Sequence, residues 1–147
     1  MGELAVKTMK ELAKKLGKEK EIFVERVTVP GIKDLPVAAK KLIEERGCEA
    51  VLACGQVGKH SLDEMSAMEA NIGVQVAQLM TNKHILTAFI HEQEAPGNEE
   101  KLVEIIEDRV SKHAENLVRI VVEPRWFQEN AGKGLRQGDE HAGAFRK

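Results

Sequence analysis

The chain reads as an α/β protein built on a small parallel sheet, and two observations predict it. Apolar residues recur first at helical spacing and then in short β-like runs, alternating along the 147 residues. The short runs lead into turns carrying Gly, Lys, His or acidic residues, as expected where the carboxyl end of a strand hands over to a helix and where such folds bind ligands.

Each element has its own signal. Ala5, Met9, Leu12, Ala13 and Leu16 share one face of a first helix that Gly17 ends, and residues 21–28, rich in Ile, Phe and Val, predict a strand. Leu35, Ala38, Ala39, Leu42 and Ile43 form the stripe of a second helix stopped at Gly47. Residues 50–54 are short and uninterruptedly apolar, as in a strand buried on both faces. Ser61 and Glu64 spell a capping box for a third helix, with Met65, Met68, Ile72, Val76 and Leu79 as its apolar stripe and an end near Asn82. A strand over about 84–91 follows. Pro96, Gly97 and Asn98 then start a fourth helix striped by Val103, Ile106, Val110, Ala114, Leu117 and Val121, ending near Glu123, and Pro124 opens a fifth. The first helix has no strand before it, which an α/β sheet normally provides, so the reading expects a strand upstream of Met1.

Composition narrows the function classes. The length fits one domain spanning residues 1–147, and no 18-residue apolar run is present to span a membrane. A net charge of −2 and 3% aromatic residues argue against a nucleic-acid surface. Cys48 and Cys54 have neither disulfide-framework nor metal-ligand spacing, and the N-terminus lacks the build of a signal peptide, so the expectation is a cytoplasmic protein with buried thiols.

Four segments carry possible chemistry. In residues 29–36, Pro30 stiffens the chain, Gly31 is free to take a positive φ, and Asp34 is a good N-cap. Amide groups around Gly31, Ile32, Lys33 and Asp34 are then open to an oxygen-rich ligand, although an ordinary strand-to-helix connection has the same residues. Residues 54–60 place Gly55, Gln56, Val57 and Gly58 at a strand's carboxyl end, with Lys59 and His60 adding charge. The spacing is not that of a Walker loop, and a plain glycine-rich turn fits it as well. His91 beside Glu92 ends the third run, a pair able to move protons near neutral pH or simply a hydrogen-bonded loop histidine. Zinc is disfavoured, because His84 falls on the opposite side of an ideal strand. Lys133 and Arg136, in a glycine-rich basic tail, either clamp an anion or complement a helix end. His113 reads as a solvated-face residue, and Trp126 with Phe127 as a packing or interface anchor.

Together, residues 29–36, 55–59, 79–85 (Leu-Met-Thr-Asn-Lys-His-Ile), 91–95, 113–116 and 132–138 (Gly-Lys-Gly-Leu-Arg-Gln-Gly) resemble the archaeal riboflavin synthase family in order and spacing, over essentially the whole chain. That family is similar in fold to lumazine synthase, which implies a three-layer α/β/α architecture. The resemblance implies a dismutation of two molecules of 6,7-dimethyl-8-ribityllumazine to riboflavin and 5-amino-6-ribitylaminouracil. It implies no organic cofactor, help from Mg2+, and a homopentamer with sites between subunits. The substrate's acidic 7-methyl group supplies the reactivity, so the protein's task is to hold two rings together and shuttle protons.

By position, residues 31–34 are implied to hold a ribityl chain and residues 55–58 to line a pteridine edge. His91 and Glu92 become the proton-handling candidates, with Lys59 and His60 second. Lys133 and Arg136 match the phosphate region of lumazine synthases, and with no phosphate in this reaction they are left with a structural or ring-carbonyl role. The family pattern also includes an N-terminal strand and an aromatic loop, so a start upstream of Met1 is expected. Two other readings stay open: a lumazine synthase, and a lumazine- or flavin-binding assembly protein without turnover. In the oligomer, part of the stripe of the fourth helix is expected to pack on a neighbour, with loop 29–34 facing the next subunit.

Overall fold

The computed structural model describes residues 1–135 and 142–144. In chain order the elements are α1 (Gly2–Lys15), α2 (Leu35–Glu44), β1 (Ala50–Val57), α3 (Ser61–Thr81), β2 (His84–His91), α4 (Glu99–Val122) and α5 (Arg125–Asn130). Short 3-10 turns occupy Ile32–Asp34 and Glu92–Glu94. β1 and β2 pair in parallel, from Ala50 opposite His84 to Val57 opposite His91. The sheet is the middle of three layers, as the resemblance implies.

Alternation along the strands sorts the core. Val51, Ala53 and Ile85 meet Ala39, Leu42 and Ile43 of α2 and Val74 and Ala77 of α3. The intervening Ala88 and Ile90 meet Ala5, Met9 and Leu12 of α1 and Val110, Ala114, Leu117 and Val118 of α4. A smaller cluster of Val57, Ala67, Ala70 and Phe89 lies near the carboxyl ends of the strands. Alternate strand side chains thus pack against one helical layer or the other, with Gln56 and His84 left exposed.

Helix ends follow local chemistry. Asn98 caps α4 by accepting from the Lys101 amide at 2.9 Å. Asn82, at φ 52°, turns the chain out of α3 in the left-handed region that Asn tolerates. Around that end, Thr81 Oγ1 donates to the Ala77 carbonyl at 2.8 Å and the Ile85 amide donates to Gln78 at 2.9 Å. The conspicuous Leu-Met-Thr-Asn-Lys-His-Ile run therefore builds the passage from α3 into β2.

Several expectations are corrected. Residues 21–28 form no strand, although their alternation is real: Ile22 and Val24 pack on the α1 and α4 cluster while Phe23 is exposed. A groove of about 900 Å³ separates this segment from residues 50–54, so neither edge finds a ladder partner. The α3 capping box is shifted by one residue. His60 is the N-cap, and its amide donates to Asp63 at 3.2 Å, which leaves Glu64 free. The expected stripe of α3 faces outward: Met65, Met68, Ile72, Val76 and Leu79 are exposed, and Ala67, Ala70, Val74 and Ala77 are buried instead. On α4, Val110 and Leu117 belong to the chain's own core while Val103 and Val121 are exposed, so only part of the stripe is open to a neighbour. Cys48 and Cys54 are free and half-buried rather than fully buried, and burial raises both thiol pKa values.

Candidate active site

Parallel pairing in this register puts the carboxyl ends of both strands side by side. Val57 lies opposite His91, so the loops that leave them start as neighbours. β1 extends through Gly55 and Gln56, which are strand residues here rather than loop residues. Gln56 Nε2 donates to Glu92 Oε1 at 3.0 Å, and Gln93 Nε2 donates to the Lys59 carbonyl at 3.2 Å. Two of the predicted segments, 55–60 and 91–95, are thereby tied to one another.

The third joins through packing. A Cβ at Gly55 would stand 3.0 Å from Ile32 Cδ1, so glycine at this point seats the turn of residues 32–34 against the strand. That turn differs from expectation in detail. Gly31 is extended at φ −147°, with no positive φ, and its amide is taken by Asp34 Oδ2 at 3.1 Å. Asp34 holds the N-cap position of α2 but turns its carboxylate back on the loop. Lys33 pairs with Glu69 of α3 at 3.1 Å, an exposed bridge of little energetic weight.

His91 is held most firmly. Its Nδ1 lies 2.9 and 2.8 Å from the two carboxylate oxygens of Glu64, on the first turn of α3. Its amide donates to Glu94 Oε1 at 3.0 Å. Glu94 in turn accepts from Nη1 and Nη2 of Arg109 on α4, and Arg109 Nη1 also donates to the Phe89 carbonyl at 2.8 Å. The Arg109 guanidinium holds the Glu94 carboxyl below its usual range, and Glu94 raises the Arg109 pKa in return. This clamp fixes the turn that follows β2, and with it the direction of the His91 ring. With side chains 30% and 35% exposed, His91 and Glu64 remain within reach of a bound molecule.

The remaining predicted residues are less engaged. Lys59 and His60 face solvent on the loop into α3, beside the His91 turn. Lys133 donates to Asn130 Oδ1 at 3.0 Å and so closes the end of α5, while Arg136 lies outside the described residues. His113 is not on a solvated face. It is half-buried with Nδ1 lacking a hydrogen bond, and burial, then Arg109, lowers its pKa. Trp126 packs edge-on against Phe127 at 5.3 Å under the Arg119 guanidinium, in keeping with an anchor role.

Sequence reading missed Glu64, Glu94 and Arg109. Glu94 was adjacent to the candidate pair. Glu64 and Arg109 lie 27 and 18 residues away from His91, too far for any local pattern. Among the described residues, no three His, Cys, Asp or Glu side chains gather as a metal site.

Chemically, the cluster offers a carboxylate-bound imidazole, a second carboxylate on Gln56 and a glycine-cleared strand end, all at the edge where α/β folds take ligands. Comparison with known proteins identifies the chain's relatives. A family described as 6,7-dimethyl-8-ribityllumazine synthase matches residues 1–125. The chain is 42% identical to a riboflavin synthase of Archaeoglobus fulgidus over 147 residues, all of this chain and 91% of that one. It is 50% identical to a riboflavin synthase of Methanothermobacter thermautotrophicus over 122 residues, 83% of this chain and 79% of that one. A 6,7-dimethyl-8-ribityllumazine synthase of Methanopyrus kandleri is 35% identical over 80 residues, 54% and 52% of the two chains.

Proposed function

The chain belongs to the 6,7-dimethyl-8-ribityllumazine synthase family, and from that premise we propose that it is a riboflavin synthase. Two molecules of 6,7-dimethyl-8-ribityllumazine exchange a four-carbon unit, giving riboflavin and 5-amino-6-ribitylaminouracil. The observation that carries this reading is identity of 42–50% to proteins of that name over most or all of the chain.

The site's residues divide the work. Residues 31–34 and the strand end at Gly55 and Gln56 hold and orient one substrate. The Gly31 to Asp34 hydrogen bond keeps the loop in one shape, so little ordering remains to be done on binding. His91 takes and returns the proton of the acidic methyl group, and Glu92, held by Gln56, stands ready beside it. Positioning of two rings supplies most of the acceleration. Mg2+, if it assists, arrives with substrate or at a subunit boundary rather than in a preformed cage, and no step here depends on it.

The second ring needs a second wall, and the exposed stripe of α3 supplies the reason for one. Leu62, Met65, Met68, Ile72, Val76 and Leu79 leave a continuous apolar face uncovered by this chain. The proposed occupant is another copy, closing a homopentamer in the cytoplasm with sites at its subunit boundaries. None of the described helices is long and apolar enough to cross a membrane.

The test is incubation of the purified chain with 6,7-dimethyl-8-ribityllumazine at high concentration. One riboflavin is expected for every two lumazines consumed, with no added flavin or nicotinamide. Lumazine bound without turnover would overturn the reading in favour of a binding protein. Lumazine made from a pyrimidine and a four-carbon phosphate, without any flavin, would favour a lumazine synthase.

A further inference from the structure

Of the carboxylates around His91, the one in contact with its ring is Glu64, not Glu92. Glu92 gives Oε1 to Gln56, and Glu94 is occupied by Arg109 and the His91 amide. Both oxygens of Glu64 lie within 2.9 Å of Nδ1. A carboxylate only accepts hydrogen bonds, so the imidazole nitrogen facing it must carry the hydrogen, and in the neutral ring Nε2 is then left with its lone pair. Arg109 steadies the backbone that carries the ring through Phe89 and Glu94, and the Glu64 carboxylate holds the ring itself.

We propose that Glu64 is the positioning residue of this site. It holds His91 as the Nδ1–H tautomer and presents Nε2 as the base toward substrate at the strand ends. The proposal rests on the role given to His91 above and deepens it. Nε2 takes a proton from the 7-methyl carbon of one lumazine: the C–H bond breaks, its electron pair moves into the pteridine, and the imidazolium formed lies against Glu64. The same nitrogen returns the proton to the departing amine when the C–N bond to the pyrimidine product breaks, so the residue ends as it began. The charged groups around the ring are Glu64 from α3, Glu92 and Glu94 from its own turn, and Arg109 from α4.

The helix start is built to make this reach available. Asp63 satisfies the His60 amide, which releases Glu64, one residue on, to point at β2. A carboxylate one position earlier would be consumed by the cap.

The experiment is side-chain 15N NMR of the histidines together with steady-state kinetics, on wild type, Glu64→Ala, His91→Gln and the double variant. The His91 signals are those lost in His91→Gln. Wild type is expected to show a protonated Nδ1 and a bare Nε2, and Glu64→Ala to move the proton to Nε2. Turnover should fall roughly 10- to 100-fold in Glu64→Ala, the usual loss for a group that orients a functional histidine, with KM changed less than about threefold. In the His91→Gln background the same substitution should add no further loss. Should the Ala variant fold poorly, Glu64→Gln keeps the volume and is expected to mix the tautomers, since its amide also donates. An unchanged His91 tautomer, or full additivity with His91→Gln, overturns the proposal. If wild type makes no riboflavin, the functional reading fails and takes the proton step with it, whereas the spectra still decide whether Glu64 sets the tautomer.

Discussion

Helices α3 and α4 flank the same two strands, carry apolar residues at the same spacing, and are used in opposite ways. α4 turns most of its large residues inward: Val110 is fully buried, with Leu117 and Val118 beside it, while Val103 and Val121 stay exposed. α3 turns small ones inward, Ala67, Ala70 and Ala77 around Val74, and leaves Met68 67% and Leu79 84% exposed. Small residues let α3 lie close to α2. At Gly73 a Cβ would stand 2.7 Å from Pro36 Cγ, so this crossing has no room for even a methyl group. One helix completes the fold of a single chain. The other satisfies that fold with its alanines and leaves its methionines and branched residues exposed.

The largest expected effect breaks the outward face. Replacing Met68 and Ile72 together by Glu should convert the assembly to monomers by analytical ultracentrifugation and lower riboflavin formation at least about 100-fold, with the far-ultraviolet circular dichroism of the fold kept. An unchanged sedimentation coefficient would return that stripe to ordinary surface. On the inward face, Val110→Ala removes two methyl groups from a site with no exposure and should cost about 2 to 3 kcal/mol in urea unfolding, with subunit number unchanged.

A polar substitution on the same inward-facing helix has a smaller effect. Arg109→Ala removes three hydrogen bonds on the Phe89 to Glu94 turn and should cost about 1.5 kcal/mol at neutral pH. Because Arg109 depresses the Glu94 pKa, the associated stability is present above the ordinary carboxylate value and is lost as pH falls through the folded one. The variant's unfolding midpoint should therefore depend less on pH in the acid range than that of wild type. The smallest effect concerns His113. Its folded pKa is lowered by burial, so the protein should lose stability as pH drops below the ordinary value of 6.5, and His113→Leu should flatten that decline. An identical pH profile in the variant would show that His113 is solvated in solution.

Period was legible in the sequence, and direction was not. The stripes of α1 and α2, the span of β2, the Asn98 cap and the start of α5 at Pro124 all stand where local patterns placed them. The face of α3 escaped because apolar periodicity marks the bulkiest side of a helix, and here bulk and burial are on different sides. Residues 21–28 alternate as a strand does, but a strand is defined by a neighbour's hydrogen bonds and none is within reach. At the site, segments 55–60 and 91–95 were recognisable from Gly, His and acidic residues at strand ends, and residues 31–34 from the Pro-Gly loop that opens α2. The pairing of His91 with Glu64 was not, because it depends on parallel register and on a one-residue shift of a helix cap.

The contact between Gly58 and Asp63 has a practical consequence for anyone wishing to remodel this loop. Any side chain at position 58 would run into the carboxylate that holds the His60 amide. A library randomised across 58–60 should accept broad diversity at 59 and 60 and return almost only glycine at 58. Clones that escape this rule should carry a compensating change at Asp63, making the two positions a covarying pair readable by deep sequencing alone.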